Sequence, residues 1–115
     1  NIEVTIDEQG VFKVTMNESL AVALLTNLLK NAFVHNIDGG HIRITVTKNG
    51  ITFRNSGVEH PLNKEHIFER FYQGSKKEGS TGLGLAIADS ICRLQHLNIK
   101  YYFEQNEHCF EISQS

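Results

Sequence analysis

The 115-residue chain, 40% of it hydrophobic, is large enough to close one core without metal or disulfide staples. Its formal net charge of −2, from 11 basic and 13 acidic residues, gives no basic field that would draw it to nucleic acid or anionic lipid. Neither of its 2 cysteines, Cys92 and Cys109, belongs to a C-x-x-C pair or a spaced Cys/His cluster, so a zinc site and a disulfide framework are not indicated and a reducing, intracellular setting is expected. No apolar run approaches membrane-spanning length and no signal segment opens the chain, which begins without Met as an excised fragment would.

Ile2, Val4 and Ile6, then Phe12, Val14 and Met16, alternate apolar with polar on either side of DEQG, which predicts a hairpin with one buried face. From Asn17 the period changes. Asn17 or Ser19 can cap a helix running to about Val34, with Leu20, Leu24, Leu28 and Ala32 at helical spacing, and the turn IDGG ends it. Ile42, Ile44 and Val46, then Ile51 and Phe53, alternate across Lys48-Asn49-Gly50, and Asn-Gly between two such runs is a strong hairpin signal. After Pro61, NKEHIFERF reads as a short helix, and the polar, glycine-bearing stretch from Gly74 to Ser80 as a mobile loop. Leu83, Ile87, Ile91 and Leu94 stripe a last helix, and Tyr101 and Phe103, then Phe110 and Ile112, supply a closing pair of strands. Hairpins with helices between them, rather than strict strand-helix alternation, predict an α+β fold with a mixed or mostly antiparallel sheet and helices on one face.

The first helix raises a chemical question. Leu20, Leu24, Leu28, Asn27, Asn31 and His35 all fall within roughly 100° of arc, so two amides one turn apart share the face turned to the core. A buried amide without partners costs about 1 to 3 kcal/mol. Each can cap a neighbouring backbone group. Alternatively, this half of the stripe floors a polar cavity, where amide oxygens ligate a hard cation and NH₂ groups donate to phosphate. In EGSTGLGLAIADSICRLQ, Gly79, Gly82 and Gly84 stand just before a helix, so backbone N–H groups and the positive end of a helix dipole converge on a place suited to phosphate. No Lys-Ser/Thr follows the last glycine and no strand runs directly into the loop, so it is neither a P-loop nor a dinucleotide fingerprint. A linker ending in a helix is the plainer reading, but Leu83 and Leu85 between and after the glycines suit a lid better.

With both elements in place, the sequence resembles the catalytic ATP-binding domain of sensor histidine kinases, within the superfamily that includes gyrase-type, chaperone and mismatch-repair ATPases. NLLKNA is similar to the N box, IFERFYQG to the F box and GSTGLGLAI to the second glycine box, in the family's order and over nearly the whole chain. The resemblance implies a Bergerat-type fold: a two-layer α/β sandwich with a mixed, mostly antiparallel sheet of about five or six strands and about three helices on one face, residues 1–115 forming a single domain. It implies Asn31 as the Mg²⁺ ligand, Asn27 beside the triphosphate, and His35 against the nucleoside. Thr81, Gly82, Leu83 and Gly84 would cradle the phosphates, and Phe68 and Phe71 would anchor the lid to the body.

The sequence also departs from the family pattern. FRNSGVEHP has Asn55 where the family has an adenine-binding Asp, keeps Gly57, and has Glu59 where a second glycine is usual. A neutral acceptor is weaker than a carboxylate, which predicts lowered nucleotide affinity rather than none. Val34 replaces a basic residue that reaches the phosphates; Lys76 or Lys77 could supply that charge, whereas Lys30 is expected to project to the side. His108 stands where a small hydroxyl near adenine is usual.

By this resemblance the chain binds ATP with Mg²⁺ and donates the γ-phosphoryl group to a histidine on a separate dimerisation domain, with a response regulator downstream. The family's acceptor histidine precedes an acidic residue. The 6 histidines here, His35, His41, His60, His66, His96 and His108, precede Asn, Ile, Pro, Ile, Leu and Cys, so no autophosphorylation of the fragment is expected. The isolated fragment is expected to be a cytoplasmic monomer without nucleic-acid or direct membrane contact, whether or not its parent is membrane-anchored. The alternative is a nucleotide-sensing or pseudokinase module of the same fold with weakened adenine recognition.

Overall fold

A computed structural model describes residues 1–72 and 82–114. In chain order it contains β1 (Glu3–Glu8), α1 (Glu18–Val34), β2 (His41–Thr47), β3 (Gly50–Asn55), α2 (Gly84–Leu94), β4 (Leu97–Glu104) and β5 (Glu107–Gln114). The five strands form one sheet in the order β1-β2-β3-β5-β4, with β1 parallel to β2 and the remaining neighbours antiparallel. Both helices pack on one face of it, so the fold is the expected α+β sandwich with a mixed, mostly antiparallel sheet.

Local chemistry sets the boundaries. The Asn17 carboxamide oxygen accepts from the Leu20 N–H at 3.1 Å and starts α1. Thr47 pairs with Gly50 across the turn at Lys48 and Asn49, closing the β2–β3 hairpin that Asn-Gly announced. The β4–β5 hairpin turns through Gln105 and Asn106, whose positive φ values of 51° and 61° match the strand twist of a two-residue primed turn. Leu24 and Leu28 from α1 and Ala88, Ile91 and Cys92 from α2 close the core against Phe53, Tyr101, Phe110 and Ile112 of the sheet. Both cysteines are free and buried, and burial pushes each thiol up to about 11, which suits inert core residues.

Three expectations need correction. Residues 2–16 form no hairpin: β1 pairs in parallel with β2, and the segment carrying Phe12, Val14 and Met16 joins no ladder. Alternation reported one-sided burial of those three side chains, which do pack against the core, but not strand pairing. Val4 and Ile6 lie in register with Ile42 and Ile44, yet Ile6 is 63% exposed, because no helix covers that edge of the sheet. NKEHIFERF forms successive turns instead of a helix, so two helices stand among the described residues where about three were expected. Its hydrogen bonds step from Asn63 to His66 to Glu69 to Tyr72 in i→i+3 fashion, and a segment this short is marginal as a helix. The stripe of α2 is also rotated from the expected one: Ala88, Ile91 and Cys92 are buried while Ile87 and Leu94 are exposed.

Candidate functional site

The cleft lies between the C-terminal half of α1, the turns of residues 62–72 and the start of α2. It has two lobes that share Asn31, His35, Ile67, Tyr72 and Leu85. The first, of about 70 Å³, is lined also by Asn27, Lys30, Gly82 and Gly84. The second, of about 30 Å³, is lined also by Asn55, Val58, Leu62, His108 and Phe110.

Asn27 takes the capping role, and both α1 amides line the cleft. Asn27 Nδ2 donates to the Ala23 carbonyl one turn back at 2.8 Å, the capping role. Its Oδ1 remains turned to α2, where a Cβ on Gly84 would stand 3.2 Å away; glycine at that position lets the start of α2 approach the amide. Asn31 is half-buried, lines both lobes, and has no side-chain hydrogen-bond partner among the described residues. A carboxamide oxygen open to a polar cleft can ligate a hard cation while phosphates and waters supply the other ligands. Among the described residues no group of three His, Cys, Asp or Glu could hold a metal ion.

The glycine segment shows why glycine is needed there. Gly82 has φ of 73°, and a Cβ on it would fall 2.5 Å from the Phe71 Cα. The Phe71 N–H donates to the Gly82 carbonyl, tying the two ends of the intervening segment together. Phe68 packs against the core, edge-on to Phe110 with ring centroids 6.3 Å apart. Phe71 does not: its side chain is 66% exposed, with the Arg70 guanidinium over the ring at 5.4 Å, and only its backbone makes the link. Leu83 occupies the N-cap of α2 and offers its leading N–H groups no side-chain acceptor, the condition under which a helix start favours an anion.

The second lobe ends on Asn55, which is 2% exposed. Its Nδ2 donates to the Ser56 carbonyl at 2.7 Å, which fixes the amide orientation and leaves Oδ1 buried without a partner among the described residues. An orphaned acceptor of this kind costs about 1 to 3 kcal/mol until a donor reaches it. Gly57 backs the lobe rather than lining it: a Cβ there would meet the His35 carbonyl at 2.9 Å and His108 Cδ2 at 3.2 Å. Burial lowers the affinity of the His108 imidazole for a proton, against the raising effect of its bond to the Val58 carbonyl, and the net direction is down.

Of the residues singled out in sequence, the cleft thus gathers Asn27, Asn31, His35, Asn55, Gly82 and Gly84, with Leu83 beside it and Gly57 behind. Lys76, Lys77 and Thr81 lie outside the described residues, as does the whole stretch from Gly74 to Ser80 assigned to a mobile loop. Lys30 was expected to project aside, but it lines the first lobe together with Val34. The available signal was its position one turn before Val34, the place where the expected basic residue is missing. Tyr72, Val58 and Leu62 were not foreseen, since a turn region carries no periodicity from which a lining side chain can be read.

The sequence profile of the family described as "Histidine kinase-, DNA gyrase B-, and HSP90-like ATPase" matches residues 16–113. Sensor histidine kinase RppB of Synechocystis sp. is 44% identical over 84 residues, 65% of this chain and 18% of that protein. Heme sensor protein HssS of Staphylococcus aureus is 40% identical over 90 residues, 74% of this chain and 20% of that protein, so the chain spans only a small part of the curated relatives it matches. Among solved structures, the nucleotide-free catalytic domain of histidine kinase ThkA superposes with a TM-score of 0.83 at 25% identity, covering 96% of this chain and 76% of that one.

Proposed function

Because the chain belongs to the histidine kinase-, DNA gyrase B- and HSP90-like ATPases, and within them to the ATP-binding domains of histidine kinases, we propose that it binds ATP with Mg²⁺ across the two lobes and presents the γ-phosphoryl group to a histidine on a separate dimerisation domain. The observation that carries this reading is the orphaned Asn55 Oδ1 at the end of a cleft that also exposes the Asn31 carboxamide. Asn55 accepts from the base amino group, His35 borders the nucleoside, and Asn27 and Lys30 face the phosphates. Gly82, Leu83 and Gly84, with Thr81 and one of Lys76 or Lys77, enclose the phosphate chain. When bound at Asn31, Mg²⁺ supplies charge neutralisation between phosphates; phosphoryl transfer otherwise asks the protein chiefly for positioning and donors.

None of the six histidines is followed by the acidic residue of an acceptor site, so the acceptor lies on a partner domain and a response regulator receives the group from it. Asn55 in place of a carboxylate, and Val34 in place of a base, favour the second reading, a nucleotide-sensing module with weakened adenine recognition. Lys30 in the first lobe restores a cation there and favours the kinase. Mixing the domain with a histidine-bearing dimerisation domain and labelled ATP separates the two: label on the histidine supports the kinase, while nucleotide binding without transfer supports the sensor.

A further inference from the structure

The second lobe has a roof. His108 and Asn55 are cross-strand partners on β5 and β3, both buried. His108 Nε2 and the Val58 carbonyl are 2.7 Å apart, His108 Nδ1 and the Tyr101 hydroxyl 2.7 Å, and the Leu62 N–H donates to that hydroxyl at 2.9 Å. The polarity of this chain follows from its ends. A carbonyl can only accept, so Nε2 carries the proton; in a neutral ring Nδ1 then accepts, and the Tyr101 O–H is its donor. Three bonds in series thereby tie residues 58 and 62, which both line the lobe, to β5 and β4. The ring has little freedom to swing, with Phe103 at 4.8 Å and Tyr101 stacked at 5.9 Å between centroids.

Resting on the ATP-binding reading above, we propose that His108 is a positioning residue for the nucleotide base: its neutral imidazole holds the strap of residues 58–62 over the second lobe, and protonation loosens the strap and weakens ATP binding. A proton on Nδ1 turns an acceptor into a donor, leaves the Tyr101 O–H to find another acceptor in a buried place, and adds a charge there. The titratable groups facing the ring or sharing its lobe are Tyr101 from β4, His60 from the strap, His35 from α1 and Tyr72 from the turns that follow the strap.

Calorimetric ATP affinity measured between about pH 8 and pH 5.5 for wild type and H108Q tests this. Glutamine offers a donor to Val58 and an acceptor to Tyr101 without titrating, and ATP's own protonation is common to both proteins. Wild type is expected to lose severalfold more affinity on acidification than H108Q, and less than about tenfold because burial holds the imidazole below its ordinary value; superimposable profiles would overturn the proposal. Y101F, which removes the hydroxyl bridging Leu62 and His108, is expected to expose the Leu62 amide to hydrogen exchange in the nucleotide-free domain, and an unchanged exchange rate would also overturn it. Wild type that binds no ATP even at about pH 8 refutes the parent reading. In that case Leu62 protection that falls with acid in wild type but not in H108Q still supports the strap, and its absence refutes the strap as well.

Discussion

Asn55 carries two opposed demands on one side chain. Its Nδ2 satisfies the Ser56 carbonyl, while its Oδ1 is buried without a partner among the described residues. Asn55→Asp separates them. The carboxylate is the stronger acceptor for a base amino group, so ATP binding is expected to tighten by about tenfold, roughly 1.4 kcal/mol. It also places an oxygen 2.7 Å from the Ser56 carbonyl where a donor now stands, so the nucleotide-free domain should lose roughly 1 to 3 kcal/mol in denaturant unfolding. Unaltered ATP affinity in that variant would remove Asn55 from the base-binding site. The sequence revealed Asn55's position through its motif, but not its orphaned oxygen, because the Ser56 carbonyl that fixes the amide is set by the turn geometry after β3. The capped Asn27 and the open Asn31 were likewise indistinguishable as two amides on one stripe. Only the path of α2 decides which oxygen faces a neighbour.

At the scale of elements, the cleft exists because α2 begins where it does. Gly84 is its first residue, and a methyl group there would press the Asn27 Oδ1 at 3.2 Å. Alanine is the better helix former by up to about 1 kcal/mol, so Gly84→Ala should leave unfolding stability near or above that of wild type. The displaced Asn27 amide should nonetheless weaken ATP binding severalfold. A variant that loses stability and affinity in proportion would show Gly84 to be a packing residue alone. Helix periodicity, the Asn17 cap and the Asn-Gly hairpin were legible because each is written within a few residues of chain. The pairing of β1 with β2 was not, since it joins residues about 38 positions apart (Glu3 with His41) and no local turn specifies it. Phe12, Val14 and Met16 show the same limit: their burial was readable and their lack of a strand partner was not.

Across the whole molecule, two buried ionisable groups tie stability to pH. On the sheet face opposite the helices, Glu107 accepts from His41 Nε2 at 2.7 Å and Arg43 Nη2 at 2.9 Å. Burial pushes its carboxyl up, but the two hydrogen bonds and the charges behind them outweigh that and hold it below the usual carboxylate range. The folded state thus binds its proton later than the unfolded state, near 4.3, so this stabilisation is present above about pH 4.3 and lost as pH falls below it. His108 is also lowered, so the unfolded chain takes that proton first, near pH 6.5, and stability declines with acid from there. Denaturant unfolding followed against pH should show a loss below about pH 6.5 and a second below about pH 4.3. Glu107→Gln should abolish the lower step and leave the upper one. Persistence of both steps would assign the acid sensitivity to other groups.

The central claim is that the α1–α2 cleft grips a metal-chelated triphosphate, and titration calorimetry of the isolated domain with ATP, with and without Mg²⁺, tests it most directly. One nucleotide per chain, bound more tightly with Mg²⁺ than without, is the predicted result, with the Mg²⁺ dependence lost in Asn31→Ala while that variant still unfolds cooperatively. An absence of binding, or an affinity indifferent to both Mg²⁺ and Asn31, would contradict it.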